Sequence, residues 1–270
     1  MRLDRVRGFV FDIDGTLVHR TGPRTVHAIP GAVEVLERIA ASCRPFAVFT
    51  NGSHVEPDAF AQQLRASGLP VADGQVLTPL CSVQTYLARF PGGASVLPFA
   101  TEKARAYLDD AGLRLVDGRN GVRVDAVFVA HADRIDFDEL ERAARAVIAG
   151  ARLLTGSYVS AYAGANGPIL SRGAMVTAAI AKASGARPIV VGKPSRAAVQ
   201  EMERRLGVSS EHIAVIGDDL MLDVALGHIG NSKTVLVRTG ITGGLDLGRV
   251  PERRRPHEVV DTVADILDRL

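Results

Sequence analysis

The chain has 270 residues, 47% hydrophobic and 23% charged, long enough for one large domain or two modest ones and too apolar to be disordered. Its 32 Lys and Arg face 30 Asp and Glu, with the arginines spread along the chain, which excludes a general basic face for nucleic acid. Two cysteines without CxxC spacing, a charged amino terminus and no run of about 18 apolar residues predict a cytoplasmic chain, neither secreted nor membrane-spanning, without a disulfide framework.

The first apolar run, Phe9-Val10-Phe11, has the near-continuous hydrophobicity of a strand buried on both faces, and it stops at Asp12-Ile13-Asp14-Gly15-Thr16-Leu17. After Pro30, the positions Ala32, Leu36, Ile39 and Ala40 form the apolar stripe of a helix. A second run, Phe46-Ala47-Val48-Phe49, ends in Thr50-Asn51-Gly52-Ser53. The interval before the next such run is far longer than one crossover helix needs. It holds apolar runs at 95–99, 126–129 and 152–154 and helical patterns at 102–111, 137–148 and 174–184. It predicts an inserted α/β cap domain, residues 79–187, between core segments 1–78 and 188–270.

The core is expected to resume with Ile189-Val190-Val191, closed by Gly192-Lys193-Pro194. Ser195 then caps a helix carrying Val199, Met202 and Leu206 before Gly207. A fourth run, Ile213-Ala214-Val215-Ile216, ends in Gly217-Asp218-Asp219, the basic run 249–255 reads as a solvated loop, and a last helix takes Val260, Val263, Ile266 and Leu267. Strands alternating with helices predict an α/β fold: a Rossmann-like parallel-sheet core with helices on both faces, plus the smaller α/β cap. In such sheets ligands bind beyond the carboxyl ends of the strands, so the four polar strand ends are expected to converge.

Residues two apart on an extended segment point the same way, so Asp12 and Asp14 can share a site while Gly15 lets the chain turn beneath them. Adjacent carboxylates repel unless a cation lies beside them. Mg²⁺, a hard ion with oxygen ligands, suits that place, whereas Leu17, Val18 and His19 break the pattern of a calcium-binding EF-hand. Thr50 offers a hydroxyl, and the backbone around Asn51 offers N–H groups, to phosphate oxygens. Lys193, one of four lysines in an arginine-rich chain, supplies a compact positive charge. Asp218, Asp219 and, one helical turn later, Asp223 add acids at the fourth strand end. Taken singly, each signal has a plain alternative as a turn, a helix cap or a surface lysine. No HExxH, CxxC, GxSxG or P-loop pattern offers competing chemistry.

In order and spacing, DxDGT, Thr-Asn-Gly, Gly-Lys-Pro and GDD with a later Asp resemble the four motifs of the haloacid dehalogenase superfamily of phosphatases. The long cap resembles the branch of nitrophenylphosphatases, phosphoglycolate phosphatases and pyridoxal phosphatases. The resemblance implies an Mg²⁺-dependent hydrolase of small phosphomonoesters, with a small phosphorylated metabolite as its partner and a homodimer compatible with the reading. It makes Asp12 the nucleophile and Asp14 the acid and base. Asp12, the Asp14 backbone carbonyl and Asp218 become Mg²⁺ ligands, with Asp219 and Asp223 behind them. Thr50, the Asn51 backbone and Lys193 contact the phosphoryl oxygens. His131, Arg134, Tyr158, Tyr162 and Arg172 are candidate cap contacts to substrate.

The sequence departs from the family pattern mainly in the cap, at Thr155-Gly156-Ser157-Tyr158 and Leu170-Ser171-Arg172-Gly173-Ala174, and at Leu222, where threonine is frequent. A phosphotransferase or mutase sharing the aspartyl intermediate, and a non-catalytic phosphate-binding relative, are the alternatives. A signalling receiver domain would place its acidic pair first and its phosphoacceptor later, the reverse of the order here.

Overall fold

The computed structural model describes residues 2–22, 25–162 and 169–270. The chain forms two compact units: one of residues 1–50, 57–77 and 194–270, the other of residues 51–56 and 78–193.

The first unit is built on a six-stranded parallel sheet. Its order is Glu258–Val260, Lys233–Val237, Ile213–Gly217, Gly8–Phe11, Phe46–Phe49 and Val76–Leu77. Every residue of the three middle strands is buried, so both sheet faces are covered, as their unbroken apolar sequences require. On one face Val10, Ala47, Phe49 and Val215 pack with Ala198, Val199 and Met202 of helix Arg196–Leu206 and with Leu226. That helix starts where expected: Ser195 Oγ accepts the Ala198 N–H at 3.0 Å, and Gly207 ends it in the left-handed conformation. Ser195→Ala is expected to lower stability by about 1 kcal/mol, read from the urea transition of the first unit; no change would mean the amide finds water instead.

The second unit is also parallel α/β, a five-stranded sheet ordered Ile189–Val190, Arg152–Thr155, Ala126–Val129, Ser95–Phe99 and Arg114–Leu115. Helices Phe137–Ile148 and Arg172–Ser184 supply Ala143, Val147, Val176 and Ile180 to its core, against Leu97, Phe99, Val127, Val129 and Leu153.

Two expectations are corrected. Ile189–Val190 lies at the edge of this second sheet, paired with Leu154 and Thr155, and not in the six-stranded one. Its half-buried residues carry the same apolar signature in either place, and only tertiary pairing decides between them. The last expected helix divides into the strand Glu258–Val260 and a 3₁₀ helix Val263–Arg269, parted at Thr262, whose N–H is accepted by the Asp265 carboxylate at 2.8 Å. Among the described residues no helix is long and apolar enough to cross a membrane.

Candidate active site

Three adjacent strands of the first unit end in polar residues: Ile213–Gly217 in Asp218, Gly8–Phe11 in Asp12 and Phe46–Phe49 in Thr50. Parallel pairing puts these ends at one edge, since Phe11 stands beside both Ile216 and Val48. The ladder runs on into the site, with the Asp12 N–H donating to Ile216 O at 2.8 Å and the Thr50 N–H to Leu77 O at 3.1 Å.

Asp12 is half-buried, whereas Asp218 and Asp223 are buried, and each of the three offers an oxygen within 4.8 Å of the others. Asp223 enters from the single π-helical turn Leu220–Val224, a geometry that often marks functional positions. Asp219 instead caps that turn, its Oδ1 accepting the N–H groups of Met221 at 2.7 Å and Leu222 at 3.2 Å. The Asp219 N–H in turn donates to Asp223 Oδ2 at 3.1 Å. Asp14 is exposed and lies against Arg20, Nε to Oδ1 2.5 Å.

Asp218 is held by a segment the sequence reading did not single out, Thr239-Gly240-Ile241-Thr242, which follows strand Lys233–Val237. The Ile241 N–H donates to Asp218 Oδ2 at 2.7 Å, Thr242 Oγ1 donates to the Asp218 carbonyl, and Thr239 Oγ1 donates to the Gly15 carbonyl at 2.5 Å. Two backbones close on this carboxylate. A methyl group on Gly240 would overlap it, and one on Gly15, which has φ +81°, would lie 2.6 Å from Oδ2. The signal was available, because the segment is another polar, glycine-containing tail after an apolar strand.

In the second unit, Asn51 and Lys193 are joined. Asn51 Nδ2 donates to Lys193 O at 2.8 Å and the Lys193 N–H donates to Asn51 Oδ1 at 2.7 Å, while the lysine itself is buried. Beyond the backbone expected to meet phosphate, the Asn51 side chain sets the lysine's backbone in place. Of the cap candidates, His131 and Arg172 both approach Asp133 Oδ1, at 3.6 and 3.7 Å, with the His54 ring 6.0 Å from that of His131. Arg134, Tyr158 and Tyr162 are exposed.

A family model described as haloacid dehalogenase-like hydrolase matches residues 9–114, and a second, HAD-hydrolase-like, matches residues 190–266. Between them they span both strand ends that carry the clustered carboxylates. The chain belongs to the haloacid dehalogenase-like hydrolases. Among relatives of this family, the dihydroxyacetone phosphatase of Corynebacterium glutamicum is 27% identical, over 96% of this chain and 90% of that protein. The ribonucleotide monophosphatase NagD of Escherichia coli K12 is 28% identical, over 97% and 98%. The p-nitrophenyl phosphatase structure from Archaeoglobus fulgidus superposes with a TM-score of 0.85 at 28% identity, covering 98% of this chain and 99% of that one. The haloacid dehalogenase fold is thus present along nearly the whole chain, capping segment included.

Proposed function

We propose that this chain is an Mg²⁺-dependent phosphatase of small phosphomonoesters that works through an aspartyl-phosphate on Asp12. The observation that carries the reading is the meeting, within 4.8 Å, of oxygens from Asp12 and Asp218 at neighbouring strand ends and from Asp223 on the π-helical turn. Three carboxylates so close repel one another, and a hard divalent cation relieves that with oxygen donors alone. The donor set fits Mg²⁺: all oxygen, two of its three residues buried, with glycine backbones at Gly15 and Gly240 leaving the room Asp218 occupies. When bound, the ion neutralises charge on the phosphoryl oxygens. Asp12, Asp218 and the Asp14 carbonyl would hold it, with Asp223 as a further ligand; Asp219 supports the turn that carries Asp223.

The residues divide the reaction into two steps. A carboxylate oxygen of Asp12 attacks phosphorus, the bond from phosphorus to the ester oxygen breaks, and Asp14 gives that oxygen its proton. Asp14, now a carboxylate, takes a proton from water as the water oxygen attacks the same phosphorus, which releases inorganic phosphate and restores Asp12. Thr50, the Asn51 backbone and Lys193 take the phosphoryl oxygens; phosphoryl transfer depends on such positioning and charge neutralisation. Fixing the lysine's backbone through Asn51 serves that end. The second compact unit acts as the cap, extending the expected 79–187 to 78–193 and adding residues 51–56. The relatives named for dihydroxyacetone phosphate, ribonucleotide monophosphates and p-nitrophenyl phosphate support small phosphorylated metabolites as substrates. Cys43, exposed, and Cys81, buried, form no disulfide, which suits a reducing cytoplasm.

With Mg²⁺ the protein is expected to release p-nitrophenol and phosphate from p-nitrophenyl phosphate, to stop on addition of EDTA, and to recover when Mg²⁺ exceeds the chelator. Full turnover in metal-free buffer would remove the ion from the reading. Silence toward a broad panel of phosphomonoesters would remove the phosphatase.

A further inference from the structure

We propose that Arg20 is a positioning residue for Asp14, holding in one rotamer the carboxyl group that serves the leaving oxygen. The assignment rests on the phosphatase reading above and adds to it a residue that lies outside the four strand-end motifs.

Arg20 closes the strand Val18–Arg20, which pairs antiparallel with Val26–Ala28. The hairpin grows directly out of the Asp14 turn. The Gly15 N–H donates to Val18 O at 2.8 Å, Leu17 and Val18 donate to Ile13 O at 2.9 and 3.0 Å, and Ile29 donates to Leu17 O at 2.8 Å. Leu17 and Val18 are fully buried, so the base of the hairpin is anchored and Arg20 is delivered to a set place beside Asp14. There its Nε stands 2.5 Å from Asp14 Oδ1.

The Asp14 side chain is 47% exposed, and solvent alone would not hold it in one rotamer. A guanidinium is a rigid fork of N–H donors, and the one on Arg20 Nε is accepted by Asp14 Oδ1. With Arg20 on Oδ1, the side chain is kept from turning. Partly exposed ion pairs contribute little to folding, so the pair is explained better by the chemistry of Asp14 than by stability.

The test uses the full chain with Mg²⁺ and two esters that differ in their need for a proton: p-nitrophenyl phosphate, whose phenolate leaves readily, and phenyl phosphate, whose phenolate does not. kcat/KM is compared because it covers only the steps through ester cleavage. Arg20→Gln is expected to lower kcat/KM for phenyl phosphate about tenfold or more and that for p-nitrophenyl phosphate less than about threefold. Arg20→Lys is expected to recover part of the loss on phenyl phosphate, and both variants to keep the wild-type circular dichroism and melting temperature. An equal loss on the two esters, no loss on either, or a loss that tracks a lowered melting temperature would overturn the assignment. Wild-type protein inert toward both esters would instead defeat the phosphatase reading, and this assignment with it.

Discussion

Asp12→Asn is expected to lower turnover of p-nitrophenyl phosphate by about four orders of magnitude or more, because loss of a covalent nucleophile removes the route and not one contact along it. The amide is close in size to the carboxylate, and the Asp12 N–H bond to Ile216 O belongs to the backbone, so the strand end survives the change. Removing one of three clustered negative charges also relieves repulsion in the metal-free protein. The melting temperature without Mg²⁺ is therefore expected to stay level or rise while activity vanishes. The measurement is single-turnover phosphate release alongside a thermal melt. Undiminished release would end the covalent mechanism, and a collapsed melt would show that Asp12 holds the fold.

Gly240→Ala is the second large effect. The new methyl group would overlap the Asp218 carboxylate, which has nowhere to retreat. Gly15 approaches from the other backbone, and the Ile241 N–H and Thr242 hydroxyl both bond to Asp218. Either the aspartate leaves its place or the segment carrying residue 240 does. The expected result is Mg²⁺ affinity weakened by about 10- to 100-fold, from a titration of activity or of heat, as when a group supporting a metal ligand is disturbed. Overpacking against the buried Asp218 carboxylate adds a stability loss of about 1–3 kcal/mol in urea. Gly244→Ala is the control. Nothing lies within 4 Å of the added methyl group there, so the change is expected to stay within about 0.5 kcal/mol of wild type. Normal metal affinity in the residue 240 variant would mean that the Thr239–Thr242 segment is a bystander.

Much of this architecture was legible because the central strands are buried on both faces and end abruptly. Phe9–Phe11, Phe46–Phe49 and Ile213–Ile216 could hardly be anything else, and the aspartates that follow two of them meet in the structure. Ile189–Val190 carried the same signature and joined a different sheet, since an apolar run states that a strand is buried and not which neighbour it takes. Asp223 was harder. A carboxylate one helical turn past a strand reads as a solvated side chain, and only the π turn capped by Asp219 carries it inward. Arg20 left no trace in the sequence, because its meaning depends on a hairpin that folds it back over Asp14. Lys193 was found as a charge, while the asparagine side chain that fixes its backbone could be seen only in three dimensions.

The strand order of the six-stranded sheet also sets a timetable for synthesis. Gly8–Phe11 is among the first segments to leave the ribosome, yet one of its two neighbours, Ile213–Gly217, is among the last. The five-stranded sheet draws all its strands from the stretch between, so it can be finished while the amino-terminal strand still waits. Pairings between such distant segments form slowly. The carboxylates of Asp12 and Asp218 therefore first meet when the chain is nearly complete, and a nascent protein that has emerged only as far as Lys193 would carry a folded middle and an unassembled ion site.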